Sequence, residues 1–540
     1  MNDQRDSALM LRPVTLLLAA LGAWVGMTTL TVAGPPSSAA TQKKSEGVAA
    51  QLVKLLAPAD SGAEGLRSES EHLGTFNGKA VPYHALVDTY ELKGGAGEKI
   101  GTIVSTTYRR SDIPKNQPQA VLFTFNGGPG SASLWLQLGL VGPKRIDFSD
   151  DLHPRTVPPF KITENAESPI DIATVVLIDP PGTGYSTFVP GKDKEVFGVE
   201  QDATAIVKFI RDWSVKNGQQ NAPKFLLGES YGTIRAARVA KLLAGGPSEA
   251  ESLTGISLNG IILLGQALDF LNRDPRADLT YVNVLPTFAA VAWYHGRVDR
   301  KKATLEVQID KATGFAAGEY LRVLFKGSGA TPDEKSHVAQ KLAALTGLPE
   351  TFVLRKNLRV SAREFSNELL ASQGQQVGMY DGRYTLPLVP SGGDSFSDDP
   401  AMAQYVPGFV AGYQLHLRND LNIATDLPYK AIDYKNANAR WDYGHGPGNP
   451  PSGGFSENLA IAMRRNPALK LLVGSGTYDL VTTMGDAEYM INHAGIDRGR
   501  VIHKRYPSGH MPYLGAENRK LLGTDLRAFI KAASADPAKP

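Results

Sequence analysis

The chain of 540 residues contains no cysteine, so no disulfide contributes to its stability. An excess of one charge is also missing, because 57 Lys and Arg stand against 54 Asp and Glu, with no basic block typical of nucleic-acid binding. There is no G-x-x-x-x-G-K-[ST] phosphate loop and no histidine–carboxylate spacing typical of a metal site. We therefore expect no nucleic-acid partner, no cofactor and no metal.

The first 40 residues are predicted to be a secretory signal. Arg5 and Arg12 precede an uncharged stretch at 14–33, and small residues follow it. The stretch is also long enough for an uncleaved membrane anchor, and between these alternatives we favour cleavage, after which no membrane span is expected. Export without disulfides is more typical of a bacterial periplasmic or secreted protein than of a eukaryotic one.

Short apolar runs alternate with helical periods along most of the chain. The runs predicted as strands are 120–125, 173–179, 224–227, 260–265 and 469–476. Residues 81–110 read as a β-hairpin, and 41–75 as a polar, partly helical lead-in. Nearly continuous apolar strands between helices predict an α/β fold, with a mostly parallel central sheet covered by helices.

The segment 281–400 breaks this rhythm and has few strand signals. Capping boxes at Thr331 and Ser361 open two predicted helices, which should end near Gly347 and Gly374. The segment is either a helical excursion that adds stability or a cap over an active site. The predicted organisation is a signal peptide at 1–40, a core at 41–280 and 401–540, and a mainly helical insertion at 281–400.

The pattern Gly228-x-Ser230-x-Gly232 follows an apolar strand and precedes a helix. One interpretation is a tight turn that only connects the two elements. The other is a nucleophile elbow, in which glycines allow a sharp turn and the serine hydroxyl is exposed at the edge of the sheet. The flanking strand and helix favour the elbow, with Ser230 as the nucleophile.

A serine nucleophile needs a base and a group that orients it. His510, in a small-residue loop after a strand-like segment, is the candidate base, whereas His503 within that segment is a packed or surface residue. Asp479, just past an apolar run, is the candidate orienting acid, and its competitor Asp486 falls in the following helix. The order Ser, Asp, His is typical of α/β-hydrolases.

An oxyanion hole is also required, because the tetrahedral intermediate carries negative charge on oxygen. The glycine-rich segment 126–130 follows a predicted strand, and its main-chain N–H groups can approach a substrate closely. One donor is expected from this loop and the other from Tyr231, the residue after the nucleophile. The alternative is a plain glycine-rich turn.

Together these motifs resemble the serine carboxypeptidase family of α/β-hydrolases. The resemblance runs through "NGGPGSASLW", "IDPPGTGYS", "GESYGT", "GTYDLV" and "SGHMPY", in the family's order. It implies an α/β-hydrolase fold with 281–400 as the insertion domain. It also implies Ser230, Asp479 and His510 as the catalytic residues, with the N–H groups of Gly128 and Tyr231 as oxyanion donors.

Members of this family bind the free C-terminal carboxylate of a substrate through four side chains. The resemblance implies this role for Asn126 and Glu229, which match the family. The tryptophan and the second glutamate of the family are replaced by Thr124 and Leu140. Hydrolysis is therefore better supported by the sequence than carboxypeptidase specificity.

The leading hypothesis is an exported serine-type peptidase, a carboxypeptidase that releases C-terminal residues through an acyl-enzyme on Ser230. The alternative is an esterase, amidase or acyltransferase that acts on small esters or amides with the same residues. A non-catalytic binding protein of the same fold is a third hypothesis, which the intact constellation of Ser230, Asp479 and His510 disfavours.

Overall fold

The computed structural model describes residues 65–535 apart from 115–116, 149–151, 246–255, 270–273, 389–393, 395 and 445–453. Every described residue belongs to one compact unit. The predicted signal peptide at 1–40 lies outside the described residues. Within the described part, no helix is both long and apolar enough to cross a membrane.

The described residues form fourteen strands, ten of which build one sheet. The strands are β1 Ser68–Phe76, β2 Lys79–Lys93, β3 Lys99–Arg110, β4 Ala120–Phe125, β5 Lys144–Asp147, β6 Lys161–Glu164, β7 Ala173–Asp179, β8 Thr187–Phe188, β9 Lys224–Glu229, β10 Gly260–Leu264, β11 Gln375–Val377, β12 Thr385–Pro387, β13 Lys470–Gly476 and β14 Val501–Tyr506. The order across the sheet is β1-β2-β3-β7-β4-β9-β10-β13-β14, with β8 paired to β3. Two separate ribbons pair β5 with β6 and β11 with β12.

Across the sheet, neighbouring strands are antiparallel along β1-β2-β3-β7. They are parallel along β7-β4-β9-β10-β13-β14. Strands β4, β7, β9 and β10 are buried along their whole length. Such burial is expected of parallel strands that have helices on both faces, and it explains their continuous apolar sequences. The predicted mostly parallel sheet is therefore confirmed.

Five of the strands coincide with the apolar runs predicted from the sequence, and β2 and β3 form the predicted hairpin. Residues 41–75 were predicted to be a polar, partly helical lead-in. The part of this segment that the structure describes contradicts the prediction, because residues from Ser68 onwards form β1. This strand lies at the edge of the sheet and alternates exposed with partly buried residues. An edge strand needs no continuous apolar run, which is why its polar sequence conceals it.

Helices cover both faces of the sheet. They are α1 Leu134–Leu136, α2 Asp193–Val196, α3 Val199–Lys216, α4 Tyr231–Leu243, α5 Asp278–Tyr294, α6 Leu305–Phe315, α7 Leu321–Lys326, α8 Pro332–Thr346, α9 Glu350–Arg355, α10 Ala362–Glu368, α11 Pro400–Asn419, α12 Ser456–Arg465, α13 Met484–His493 and α14 Ala516–Ser534. One hydrophobic cluster joins the sheet to α3, α4, α12 and α13, and a second joins its other face to α1, α11 and α14.

Helices α5 to α10 pack around a third hydrophobic cluster. Within it, the rings of Phe288 and Phe365 stack with 4.1 Å between centroids. These helices fall in the segment predicted to be a mainly helical insertion, and β11 and β12 are short strands that the sequence did not reveal. The limits of the insertion as a domain, 281–400, stay a prediction.

Both predicted capping boxes are present in this segment. Thr331 caps α8 and Ser361 caps α10, each through reciprocal hydrogen bonds with the glutamate three residues later. Helix α8 ends at Thr346, just before Gly347, as predicted, and Gly347 has a left-handed conformation. Helix α10 ends earlier than expected, at Glu368, and Gly374 instead closes a short 3-10 turn.

Thr331→Ala should lower the free energy of unfolding by about 1 kcal/mol, since the Glu334 N–H would lose the hydroxyl that accepts from it at 3.2 Å. Denaturation in urea would measure the change. Gln340→Ala on the exposed face of the same helix is the control and should change stability by less than about 0.5 kcal/mol. Equal effects of the two substitutions would contradict the capping role.

Candidate active site

Ser230 occupies the turn between β9 and α4. Its backbone has φ 59° and ψ −128°, a conformation that costs a non-glycine residue on the order of 1–3 kcal/mol. The Ser230 N–H donates to the Leu264 carbonyl at 2.9 Å, and the Ser230 carbonyl accepts from the Thr233 N–H at 2.9 Å. The end of β10 and the first turn of α4 therefore hold the strained residue from both sides.

Three glycines give this turn the space that it needs. A methyl group at Gly228 would overlap the Gly232 carbonyl, and one at Gly232 would lie 2.8 Å from the Phe125 carbonyl oxygen. A methyl group at Gly127, in the loop after β4, would lie 2.5 Å from the Tyr231 nitrogen. The elbow and this loop can approach each other only because glycine occupies these positions.

His510 and Asp479 meet at one edge of the sheet, because β13 and β14 are parallel neighbours and each residue follows one of them. His510 Nδ1 donates to Asp479 Oδ2 at 2.9 Å. The Thr482 hydroxyl donates to the same oxygen at 2.6 Å, and the Val481 and Thr482 N–H groups donate to Asp479 Oδ1 at 2.8 and 3.0 Å. The buried carboxylate is thus held in one orientation through both of its oxygens.

The environment of His510 favours its charged form. Burial lowers the pKa of His510, but the charge and hydrogen bond of Asp479, with smaller effects of Glu229 and Asp399, outweigh burial and raise it overall. Nδ1 is engaged by Asp479, while Nε2 is buried and has no hydrogen-bond partner among the described residues. Ser230 and His510 line one pocket. A bond between a catalytic serine and its histidine often tightens only when substrate binds.

Asn126 and Glu229 form a hydrogen-bonded pair in the wall of the same pocket. Asn126 Nδ2 donates to Glu229 Oε1 at 2.9 Å, and Asn126 Oδ1 accepts from the Leu136 N–H at 3.1 Å. Burial raises the pKa of Glu229 to about 7, although His510, Tyr513 and Asn126 each act to lower it. The protonation of Glu229 therefore changes near neutral pH.

Tyr513 is a neighbour of Glu229 that the sequence did not single out. Its ring packs against Gly139, where a methyl group would overlap it. Its hydroxyl interacts with Glu229, but neither Tyr513 Oη nor Glu229 Oε2 has a regular hydrogen-bond partner in the described part of the chain. Burial raises the pKa of Tyr513 well above its ordinary value, so a neutral phenol stands beside the carboxyl group.

The two predicted oxyanion donors lie where the loop after β4 meets the elbow. Gly128 has φ +102° and lines the pocket with Ser230. The Gly127 carbonyl accepts from the Ser131 N–H at 3.1 Å, which fixes the peptide that carries the Gly128 N–H. Tyr231 begins α4, where N–H groups have no partner within the helix and the helix dipole favours negative charge.

Apolar and aromatic side chains complete the pocket. They are Trp135, Tyr380, Phe396, Met402, Ile432, Tyr434 and Met511. The Tyr380 ring contacts His510 edge-to-face with 5.3 Å between centroids, and the Tyr380 carbonyl accepts from the His510 N–H at 2.6 Å. Tyr380 and Phe396 belong to the segment predicted as an insertion, which therefore contributes directly to the pocket.

The two positions that depart from the family pattern lie inside the fold. Thr124 is fully buried in β4 and its hydroxyl donates to the Val176 carbonyl at 3.4 Å. Leu140 is buried in the hydrophobic cluster that contains α1. Neither side chain lines the pocket.

The two competing residues considered from the sequence have other partners. His503 lies in β14 and its Nδ1 is 3.0 Å from Glu488 Oε2. Asp486 lies in α13 and accepts from the Thr483 hydroxyl at 2.8 Å and from the Asn283 amide at 3.1 Å. Neither lines the pocket with Ser230. Among the described residues, no group of His, Asp and Glu could hold a metal ion.

Residues 107–351 match the profile of the serine carboxypeptidase family. The predicted resemblance to this family is confirmed. The chain is a serine hydrolase. The matched segment includes Asn126, Gly128, Glu229 and Ser230. Asp479 and His510 lie beyond its end.

Among solved structures, the chain is similar to a prohormone-processing carboxypeptidase from Saccharomyces cerevisiae. The identity is 13%, the match covers 83% of this chain and 91% of that chain, and the TM-score is 0.52. At this identity the similarity shows the fold alone, and it confirms the predicted α/β-hydrolase fold. A thermostable carboxyl esterase from Bacillus coagulans also matches, at 13% identity over 83% of this chain and 99% of that chain, with a TM-score of 0.36. No curated protein matches the sequence.

Gly228→Ala should disrupt the elbow, because the added methyl group would overlap the Gly232 carbonyl. Overpacking of this kind costs about 1–3 kcal/mol, and displacing a reacting group by about 1 Å can cost about 100-fold in rate. Labelling by a fluorophosphonate should therefore slow at least about tenfold. Gly314→Ala in α6, where a methyl group meets nothing within 4 Å, is the control and should label like the wild type. Equal labelling of both variants would contradict this account of the elbow.

Proposed function

We propose that the protein is an exported serine-type carboxypeptidase that releases C-terminal residues from peptides through an acyl-enzyme on Ser230. Ser230 Oγ attacks the scissile carbonyl and His510 Nε2 takes its proton, then returns it to the leaving amine. Asp479 keeps His510 in the tautomer that this transfer needs. The N–H groups of Gly128 and Tyr231 stabilise the oxyanion.

The observation that carries this proposal is the Asn126–Glu229 pair in the pocket of Ser230. A peptide with a free C-terminus brings a carboxylate into the site. The Asn126 amide and a protonated Glu229 can both donate hydrogen bonds to it. Because burial raises the pKa of Glu229 to about 7, this carboxyl group still holds its proton at a pH where an ordinary glutamate has lost it.

An esterase, amidase or acyltransferase is the second candidate, and the positions of Thr124 and Leu140 favour it. Both side chains are buried away from the pocket, so the carboxylate-binding set implied by the family is reduced to Asn126 and Glu229. The aromatic and methionine side chains of the pocket wall would also accommodate the acyl group of an ester.

Two further proposals concern the setting of the site. We propose export to the bacterial periplasm or the medium, on the sequence of the first 40 residues. We also propose that 281–400 acts as a cap, supported by the contacts of Tyr380 with His510 and by the place of Phe396 in the pocket wall.

The test of function uses one N-blocked peptide in two forms, one with a free C-terminal carboxylate and one with a C-terminal amide. Mass spectrometry should find stepwise loss of residues only from the free acid. Glu229→Met keeps about the size of the side chain but has no hydrogen-bond donor, so KM for the free acid should rise about 10- to 100-fold, as expected for loss of a hydrogen bond to a charged group. Turnover of a simple ester should change little.

Ser230→Ala is the control for contaminating activity and should lower turnover of every substrate by at least about 10⁴-fold. Equal cleavage of the free acid and the amide would contradict carboxylate recognition. Hydrolysis of esters together with no cleavage of either peptide would support the second candidate instead.

The pH profile should differ between the two kinds of substrate. His510 must be neutral to accept a proton, and its pKa is raised, so kcat/KM for any substrate should fall as the pH drops below that raised pKa. Glu229 must be protonated to donate to a carboxylate, so kcat/KM for the free acid should also fall above pH about 7, by about tenfold per pH unit. A matched ester should lack this alkaline loss, and its presence for both substrates would contradict the role of Glu229.

A further inference from the structure

A buried ion pair lies beside the elbow and has no role in the mechanism described so far. Arg235 on α4 and Asp202 on α3 are both completely buried, and Arg235 Nε donates to Asp202 Oδ2 at 2.7 Å. Arg235 Nη1 donates to the main-chain carbonyl of Asn126 at 2.6 Å. The guanidinium group therefore connects α3 to the loop that follows β4.

Tyr231 is attached to the same pair. Its hydroxyl donates to Asp202 Oδ2 at 3.3 Å and accepts from Trp441 Nε1 at 3.1 Å. The Arg235 guanidinium carbon also lies over the Tyr231 ring, 5.2 Å from its centroid. Asn126 and Tyr231 begin the two segments that carry the proposed oxyanion donors, and one ion pair contacts both.

Stability alone is a poor explanation for this pair. Asp202 Oδ1 and Arg235 Nη2 have no hydrogen-bond partner among the described residues, so the loss of hydration is only partly compensated. Apolar side chains can often replace a buried ion pair without loss of stability. Neither residue lines the pocket, so contact with substrate does not explain the pair either.

We infer that Arg235 and Asp202 are positioning residues for the oxyanion hole, an inference that rests on the proposed function. The Asn126 carbonyl and the Gly127 N–H belong to one planar peptide, so the bond from Arg235 fixes the peptide from which the loop to Gly128 starts. Asp202 holds the Arg235 guanidinium in place, and it also accepts a hydrogen bond from the side chain of Tyr231, the first residue of α4. Loss of the ion pair should displace the N–H groups of Gly128 and Tyr231. These donors stabilise the transition state more than the bound substrate, so kcat should fall more than KM changes.

The test compares R235K with R527K on an ester substrate. Lysine keeps the positive charge but replaces the planar fork with a single ammonium group, which cannot hold Asp202 and a main-chain carbonyl in the same geometry. Arg527 is a matched control, because it is also buried and also donates to one carboxylate and one main-chain carbonyl outside the pocket. These acceptors belong to Asp171 and Ser168.

For R235K we expect kcat per folded enzyme to fall about 10- to 100-fold, with KM within about threefold of the wild type. A peptide boronic acid, to which Ser230 Oγ adds while its proton passes to His510, should lose affinity by a similar factor. R527K should lower the melting temperature but leave kcat and the boronic acid affinity within about threefold. D202N, which keeps the side-chain volume, should change both quantities in the direction of R235K.

Unchanged kcat and boronic acid affinity in folded R235K and D202N would overturn the inference, as would equal losses in R527K. A failure of R235K and D202N to fold, while R527K folds, would assign the pair to stability and also count against it. The proposed function is tested separately by the wild type: if a fluorophosphonate does not label Ser230 there, that function fails. A labelled wild type with unaffected variants overturns only the positioning role.

Discussion

The strained backbone of Ser230 is the constraint on which the rest of the site depends. A serine at φ 59° persists only where surrounding structure determines its conformation. The order of the sheet supplies that structure, because β4 and β10 flank β9 as parallel neighbours. β10 provides the Leu264 carbonyl for the Ser230 N–H, and β4 leads into the glycine loop that contacts the elbow. Burial of these apolar strands therefore offsets the strain at the proposed nucleophile.

The electrostatics of the site follow from how differently two buried carboxyl groups are hydrogen-bonded. Asp479 accepts hydrogen bonds on both oxygens, one of them from the His510 ring. Glu229 has the Asn126 amide on one oxygen and no regular partner on the other, so burial dominates and its pKa rises to about 7. The proposed catalytic histidine is thus hydrogen-bonded to Asp479 through Nδ1, while burial raises the pKa of the neighbouring Glu229.

The sequence predicted the parts of the site that follow from local pattern. Continuous apolar runs with glycine-rich ends identified β4, β9 and the elbow, because strands buried on both faces need such runs. The strand β1 was missed, since an edge strand can be polar. Tyr513 and the Arg235–Asp202 pair were also missed, because their contacts join residues that are far apart in the chain. Thr482 is close in sequence to Asp479, but a loop threonine carries no pattern that distinguishes a bond to a carboxylate from a bond to water.

Under the proposed carboxypeptidase function, the departures at Thr124 and Leu140 would be a rearrangement of the carboxylate site. Thr124 is closely surrounded in the sheet, so the larger tryptophan of the family would require space that this core does not provide. Tyr513 occupies the space beside Gly139, next in the chain to Leu140, and its hydroxyl neighbours Glu229. A second carboxyl group would repel the Glu229 carboxylate and would share a proton with it. The neutral phenol of Tyr513 does neither. For the proposed carboxypeptidase, one titratable carboxyl group among neutral donors would suit an anionic substrate end nearer to neutral pH than a pair of carboxyl groups would.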